Sequence, residues 1–374
     1  MTDHDVVIVG AGPVGLLLAC LLAQSEIDVL VCERRAEVEG RSRAIGIHPP
    51  GLDALDAAGL GAVVRRDALA LSGGEVRSRG RTLAALDFPA DRPVLVLPQA
   101  CTDALLRERL ERVATGALRA GHVVRSIRDE QDFVRVSVDG DHGLREMTAR
   151  LAVIADGVHS ALRDALFPAG WRPRPGDGCY AMVDVADHAP TERAVLHCEP
   201  LGLVESFPLP GGIRRWVVRE NRGGELAEAV AFREEIRRRT GIAAPVPADA
   251  VPVSFRARQH AAQRLVRGRV VLVGDAAHEV SPIGGQGMNL GWVGAVRLAD
   301  GIRVSFDRGR MDLRRYERLT RRAARAAHGR STFYMAMGTP ASGVQLQARE
   351  ALMRALGSPP LRAWTTGLLT MRSV

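Results

Sequence analysis

Apolar and polar positions at the start of the chain alternate between two kinds of run. Residues 6–9 (VVIV) and 29–32 (VLVC) are continuously apolar, as expected of strands buried on both faces. The run PVGLLLACLLA between them is long enough for an apolar helix; two glycines separate it from the first strand and a third lies in its first turn. A similar pattern returns late in the chain, where RVVLV leads into GDAAHEVSPIGGQGMNLGWVGA, with almost nothing bulky before Trp292. Pieces suited to completing the same sheet therefore come late, at RLAVIADGVHSALR (150–163) and at 270–291. The stretch AVLHCEPLGLVESFPLPGGIRRWVVRE reads as three short strands with turns at 199–202 and 210–212. In MDLRRYERLTRRAARAAHGR, the residues Leu313, Tyr316, Thr320, Ala323 and Ala327 recur at helical spacing among arginines, which predicts an amphipathic helix docked on a domain. A weakly basic apolar helix is expected after the Pro-Pro break near the end.

Composition narrows the class. A chain of 374 residues with 46% hydrophobic content can bury a large core and fits two interleaved domains. No run of membrane-spanning length occurs, and the apolar start is broken by glycines and a proline without a basic leader, so neither a span nor a signal peptide is expected. Cys20, Cys32, Cys101, Cys179 and Cys198 are scattered, which suggests no disulfide framework and no metal site, and fits a reducing cytoplasm. All 51 basic residues are arginine, so a P-loop or a Schiff-base mechanism has no lysine to use. The net charge of +8 is spread along the chain and reads as a solvated basic surface rather than a nucleic-acid footprint.

Candidate chemistry begins at the first glycines. Gly10, Gly12 and Gly15 form G-x-G-x-x-G between a strand and a helix, and Glu33 closes the second strand 23 residues after Gly10. That combination suits a dinucleotide: a tight turn, close approach to a pyrophosphate at a helix N-terminus, and a carboxylate for a ribose diol.

These elements, with ADGVHSALR around Asp156 and Gly157 and with GDAAH…P…GQGMN from Gly274 to Asn289, resemble the group A flavoprotein monooxygenases, single-component aromatic hydroxylases of the para-hydroxybenzoate and ubiquinone-biosynthesis type. The resemblance covers nearly the whole chain. It implies an α/β (α+β overall) fold, with a Rossmann-like FAD-binding domain (1–70, 97–175 and 262–330) interleaved with an antiparallel-sheet substrate domain (71–96 and 176–261) and a C-terminal helical segment (331–374). It also implies a cofactor set of Gly10, Gly12, Pro13, Val14, Gly15, Glu33, Arg34, Arg43, Gln99, Asp156, Gly157, Gly274, Asp275, Pro282, Gly285, Gly287, Met288 and Asn289. Within that set Asp275 serves the ribityl chain, Arg43 lies along the FAD, and Gln99 lies near the ribityl or pyrophosphate. Gly284, Gly285 and Gly287 let backbone approach the flavin ring, and amides near Met288 and Asn289 stabilise negative charge on it. Pro282 falls where the family places a proline beside the reacting centre. Gly294 departs from an aspartate common at that helix position, which puts a helix-capping or packing contact in question.

The chemistry implied is reduction of FAD by transient NADPH or NADH, followed by hydroxylation of an aromatic ring through dioxygen held as a flavin C4a-hydroperoxide. The substrate is a small aromatic: a lipophilic phenol or quinol, or a polyketide-like aromatic. Candidate substrate residues are Tyr180, Phe207, Trp216 and His48, and no catalytic base stands out. The last helix either caps a hydrophobic channel, touches a membrane surface or docks a homodimer, and a monomer also remains open. Flavin halogenation is excluded by the missing lysine. Reduction of prenyl-type C=C bonds, or flavin or ligand binding without turnover, remains an alternative.

Overall fold

The computed structural model describes residues 2–37, 44–141, 143–168, 170–187 and 191–371. Its central sheet is assembled from distant parts of the chain. The strand His4–Val9 pairs in parallel with Val29–Glu33 on one side and with Gly143–Ile154 on the other. Gly143–Ile154 in turn pairs in parallel with Val270–Leu272, and Val29–Glu33 with Leu118–Ala120. Val6, Val7 and Ile8 are fully buried, which is why this strand carries no alternation. The late pieces thus do complete the early sheet, as the apolar runs suggest.

Register fixes where chemistry collects. Val9 lies opposite both Cys32 and Ile154, and Ile154 lies opposite Leu272. Gly10, Glu33, Asp156 and Gly274 therefore leave the sheet at one carboxyl edge, the crevice where open parallel sheets bind ligands. The outer half of the long strand Gly143–Ile154 has a different task. It pairs antiparallel with Val134–Gly140, which pairs with Val123–Asp129, in a meander not among the elements expected above, although Val134, Val136 and Val138 alternate with Arg135 and Ser137.

A second, mostly antiparallel sheet has the order Val253–Ala257, Gly178–Ala186, Ile213–Glu220, Gly202–Leu209, Arg193–Glu199, Gly73–Ser78 and Arg81–Asp87 among the described residues. The three short strands expected over 193–220 are present with their turns. Both faces of this sheet are covered. One packs Ala181, Val183, Val204 and Val218 beneath the helix Ala229–Thr240, through Phe232 and Ile236. The other packs Tyr180, Leu203 and Val217 against Ile283 and Met335.

This two-sided burial corrects one expectation. Trp216, expected to line a substrate pocket, belongs to the face under Ala229–Thr240, because strand alternation sends it opposite to its neighbour Val217.

The arginine-rich stretch forms the helix Arg314–Met337, with Tyr316, Thr320, Ala323 and Ala327 buried at the expected spacing and Leu313 just before its start. The Tyr316 hydroxyl donates to the Leu272 carbonyl at 2.7 Å, fastening this helix to the parallel sheet. A Cβ at Gly294 would meet Thr320 at 3.9 Å and Val273 at 4.0 Å, both ordinary contacts, so the position has room for a small side chain. The helices Gly343–Gly357 and Leu361–Leu369 follow. Among the described residues no helix is long and apolar enough to cross a membrane.

Candidate functional site

At the first glycine turn, backbone sits where side chains would block it. Gly10 has φ +103°, and a Cβ there would lie 2.7 Å from the Ala155 carbonyl oxygen. A Cβ on Gly15 would lie 2.1 Å from the Gly10 oxygen, so this glycine seats the helix against the turn. Gly12 differs. Nothing lies within 4 Å of its Cβ position, and it begins the helix Pro13–Ala23 without any side-chain cap. The first N–H groups of that helix consequently face open space and favour an anion.

Polar side chains ring this opening. Glu33, 7% exposed, accepts from the Ala11 N–H at 2.8 Å through one carboxylate oxygen and from the Arg35 N–H at 3.0 Å through the other. It braces the turn and still has lone pairs for a diol. Arg34 beside it is exposed. Asp156 has a buried oxygen without a hydrogen-bond partner, and burial raises its pKa. Gly157 follows at φ +86° with its Cβ position open.

The helix Gln99–Val113 supplies residues that sequence reasoning missed. Gln99 accepts from the Ala44 N–H at 3.3 Å. Asp103 and Arg107 follow at four-residue spacing on the same helix. Arg107 donates to the Ala11 carbonyl at 3.3 Å, while its Nε and one Asp103 oxygen are buried without partners. Burial pushes the Asp103 carboxyl up to about 6, against the opposing pull of the Gln99 hydrogen bond and the charges of Arg107 and Arg35. The signal was present in the i, i+4, i+8 spacing from Gln99, but polar residues so spaced ordinarily mark a solvated face.

The second glycine segment meets the first. Val14 packs where Cβ atoms on Gly274 and Gly291 would lie, at 3.1 and 2.5 Å, and the Trp292 indole N–H donates to the Pro13 carbonyl at 3.1 Å. Asp275 is exposed in a short turn, Gly274–Ala276, flanked by buried residues. The helix Gly287–Asp307 begins with neither a side-chain cap nor an acid in its first turn, so its first amides are also unpaired by side chains. Gly287 has no atom nearer than 3.8 Å to its Cβ position, and Met288 is half-buried against the core. The Asn289 side chain is consumed internally: it accepts from the His48 N–H at 2.9 Å and donates to the Gly46 and Gly285 carbonyls, both at 3.0 Å. Only its main-chain amide remains for a ligand.

His48, Gln286 and the helix Arg314–Met337 converge on the Gly284–Gly285 turn. Gly284, at φ +91°, has the Tyr334 ring 2.6 Å from its Cβ position, and Gly285, at φ +65°, has the His48 Nε2 at 3.4 Å. Arg330 donates to Gln286 at 2.8 Å, leaving the Gln286 amide nitrogen buried without a partner. His48 is itself buried, which lowers its pKa to about 4 and keeps it neutral. Pro282 is exposed, and its carbonyl accepts from the Gly285 N–H at 2.9 Å.

Two uncapped helix N-termini, open glycines and orphaned polar atoms on one crevice suit a long, anionic ligand with a flat end against Gly284–Gly285. FAD fits that description. Beyond the flat end, Tyr180 is fully buried, accepts from Arg219 at 3.1 Å and stacks on Phe255 with ring centroids 5.6 Å apart. Burial pushes its phenol up to about 12, so it stays protonated. Phe207 is half-buried on the same face. Trp216 lies on the opposite face of this sheet from Tyr180 and Phe207, and Arg43 lies outside the described residues.

The model of the FAD-binding-domain family matches residues 3–331. The 12-dehydrotetracycline 5-monooxygenase/anhydrotetracycline 6-monooxygenase of Streptomyces rimosus is 33% identical over 314 residues, covering 79% of this chain and 61% of that protein. The chain therefore spans about three fifths of that relative's length. The structure of anhydrotetracycline hydroxylase OxyS from the same species superposes with a TM-score of 0.80 at 29% identity, covering 99% of this chain and 76% of the other. The p-nitrophenol 4-monooxygenase PnpA of Pseudomonas putida shares the fold at a TM-score of 0.86 and 24% identity, covering 99% of each chain. From the sequence match over residues 3–331 and the shared fold, the chain belongs to the FAD-binding-domain family, whose cofactor is FAD.

Proposed function

We propose that this protein is an FAD-dependent, NAD(P)H-consuming monooxygenase that hydroxylates an aromatic, polyketide-like substrate. One observation carries the reading: the Gly284–Gly285 turn at the end of the dinucleotide crevice shares packing, through Ile283 and Tyr334, with the apolar face of the second sheet. A flat cofactor end and a flat apolar ligand would therefore lie against each other in a dry space. The named activities of the tetracycline-modifying relatives support an aromatic substrate of this kind.

The division of labour follows from the residues. Residues 1–70, 97–175 and 262–330 are assigned to cofactor binding, 71–96 and 176–261 to the substrate, and 331–374 to a helical cover. Glu33 takes a ribose diol, the helix beginning at Pro13 takes pyrophosphate, and Asp275 takes the ribityl chain. Gln99, Asp103 and Arg107 line the same opening. The amides beginning the helix Gly287–Asp307 hold negative charge on the cofactor's ring, as a preorganised helix N-terminus does. Bound FAD would supply the redox chemistry, accepting a hydride from the nicotinamide and activating dioxygen for transfer to the ring. Neutral His48 and protonated Tyr180 place no further charge beside it.

The free cysteines, three of them buried, support a reducing, cytoplasmic setting. On the last helix Leu361 is 42% and Trp364 59% exposed, which supports contact with a lipophilic substrate, a membrane surface or a second copy.

The test is the visible spectrum of purified protein during anaerobic addition of NADPH with a panel of phenols, quinols and polyketide-like aromatics. Ligand-accelerated bleaching of the flavin band, followed by oxygen uptake on aeration, is the expected result. Absence of a flavin band after reconstitution with FAD would overturn the reading. Bleaching without later oxygen uptake would indicate a reductase, and an unchanged band with every ligand would indicate a carrier.

A further inference from the structure

The face of the second sheet that meets Ile283 and Tyr334 carries one residue out of place. Strand register aligns Val76, Leu196, Glu205, Val217 and Met182 in a row across five strands. All but Glu205 belong to the apolar cluster on this face. Glu205 is 3% exposed, yet no hydrogen bond or ion pair reaches its carboxylate among the described residues. Burying an uncompensated carboxylate is costly, and such groups are ordinarily paired or absent.

The surroundings confirm both its direction and its isolation. Its charge bears on Tyr180 and Cys198, which lie on the same face. The titratable and charged groups facing it are Tyr180 and Arg219 in the row on one side, Asp184 and Arg215 on the other, Cys198, and Tyr334 from the helix. Arg215 is held by Asp184 at 2.6 and 2.7 Å, and Arg219 by the Tyr180 hydroxyl. Neither cation is paired with Glu205. Burial alone raises its carboxyl to about 7.

We propose that Glu205 is the polar anchor of the substrate, its carboxylate accepting a hydrogen bond from a hydroxyl of a neutral, polyhydroxylated aromatic that lies on this sheet face. The assignment rests on the monooxygenase reading for the place of the substrate. It deepens that reading by disfavouring ligands that bring a carboxylate directly against Glu205, since adjacent buried like charges repel and Arg215 is already held by Asp184. A hydroxyl donor instead completes the lone pairs left empty in the row.

The experiment measures binding to the oxidised, FAD-loaded protein through perturbation of the flavin spectrum, so it does not depend on turnover. The probes are 2,6-dihydroxynaphthalene, its dimethyl ether 2,6-dimethoxynaphthalene, and 6-hydroxy-2-naphthoate. Wild type is expected to bind the diol best, with affinity rising between pH 6 and pH 8 as Glu205 ionises. Glu205→Gln and Glu205→Leu should each weaken the diol about tenfold or more, flatten that pH dependence and leave the dimethyl ether unaffected.

Stability provides a second measurement that a structural role would move the other way. A carboxyl with a raised folded-state pKa destabilises the native state above that pKa, and the penalty vanishes below its ordinary value. Glu205→Leu should therefore match or exceed wild type in Tm at pH 8, with a smaller gain at pH 5. Wild type that holds FAD but does not prefer the diol would overturn the assignment, as would variants that bind like wild type or a Tm at pH 8 that falls in Glu205→Leu. Failure of the monooxygenase reading shows instead as no NADPH-driven bleaching or oxygen uptake, with these binding results unchanged.

Discussion

The crevice at the edge of the parallel sheet and the apolar face of the second sheet achieve binding by different means. The crevice is built around main chain, with glycines, two helix N-termini and a strand register that delivers them to one edge, and polar side chains such as Glu33 and Arg107 stand at its rim. The sheet face is built from side chains that arrive, among the described residues, from seven strands, a loop and two helices. A main-chain site tolerates little change in backbone path but does not depend on many residue types. A side-chain site keeps its fold under substitution while its preference changes.

The largest effect is therefore expected at Gly15. A Cβ there would sit 2.1 Å from the Gly10 carbonyl oxygen, a backbone atom that cannot rotate away. Gly15→Ala should cost roughly 3 kcal/mol or more and release FAD, because the helix Pro13–Ala23 must lift from the turn. Thermal unfolding and the flavin retained through gel filtration measure both. Unchanged values would mean that the turn is not the rigid element described here.

Gly12 sharpens the contrast within the same motif. Its backbone, at φ −74° and ψ 173°, is open to any residue, and nothing lies within 4 Å of its Cβ position. Gly12→Ala should leave the apo-protein as stable or raise it by about 0.5 kcal/mol, since the unfolded chain loses freedom. FAD affinity should nevertheless fall about tenfold or more, because the methyl occupies the space a pyrophosphate approaches. Titration of apo-protein with FAD, beside a melting curve without it, separates the two effects. Equal affinities would detach Gly12 from the cofactor.

The same distinction governs what could be read from the residues alone. Gly10, Gly12, Gly15 and Glu33 were legible because backbone demands leave a local trace in residue type, and the apolar runs at 151–154 and 270–273 announced pieces of the same buried sheet. The meander Val123–Asp129, Val134–Gly140 and the first half of Gly143–Ile154 left a fainter trace: Val134, Val136 and Val138 alternate with Arg135 and Ser137, and Met147, Ala149 and Leu151 with Thr148 and Arg150, while a register shift opposite Ser137 and Val138 breaks the period in Val123–Asp129. Asp103 and Arg107 look like an ordinary solvated helix face until the Ala11 carbonyl is placed beside them. In GLVESFPL, Glu205 and Ser206 are both polar. Alternation says that they face opposite ways, but both faces of this sheet are covered, so it cannot say which one meets the ligand.

Trp216 is the control for that ambiguity and the site of the smallest expected change. It lies one residue from Val217, which stands directly opposite Glu205, yet its side chain packs beneath Ala229–Thr240. It is 4% exposed, and its indole nitrogen is buried without a hydrogen-bond partner. Trp216→Phe removes that unsatisfied N–H and leaves a smaller ring in the same place. The gain and the loss oppose each other, so stability should change by about 1 kcal/mol or less. Diol binding and ligand-stimulated flavin bleaching should match wild type, whereas Glu205→Leu, on the opposite face, should lose the first while keeping its fold. A Trp216→Phe protein that melts normally but loses its preference for the diol would place the ligand on the wrong side of the sheet. The contrast between the two faces would then collapse, because the helix Ala229–Thr240 would have to be a mobile cover rather than part of the core.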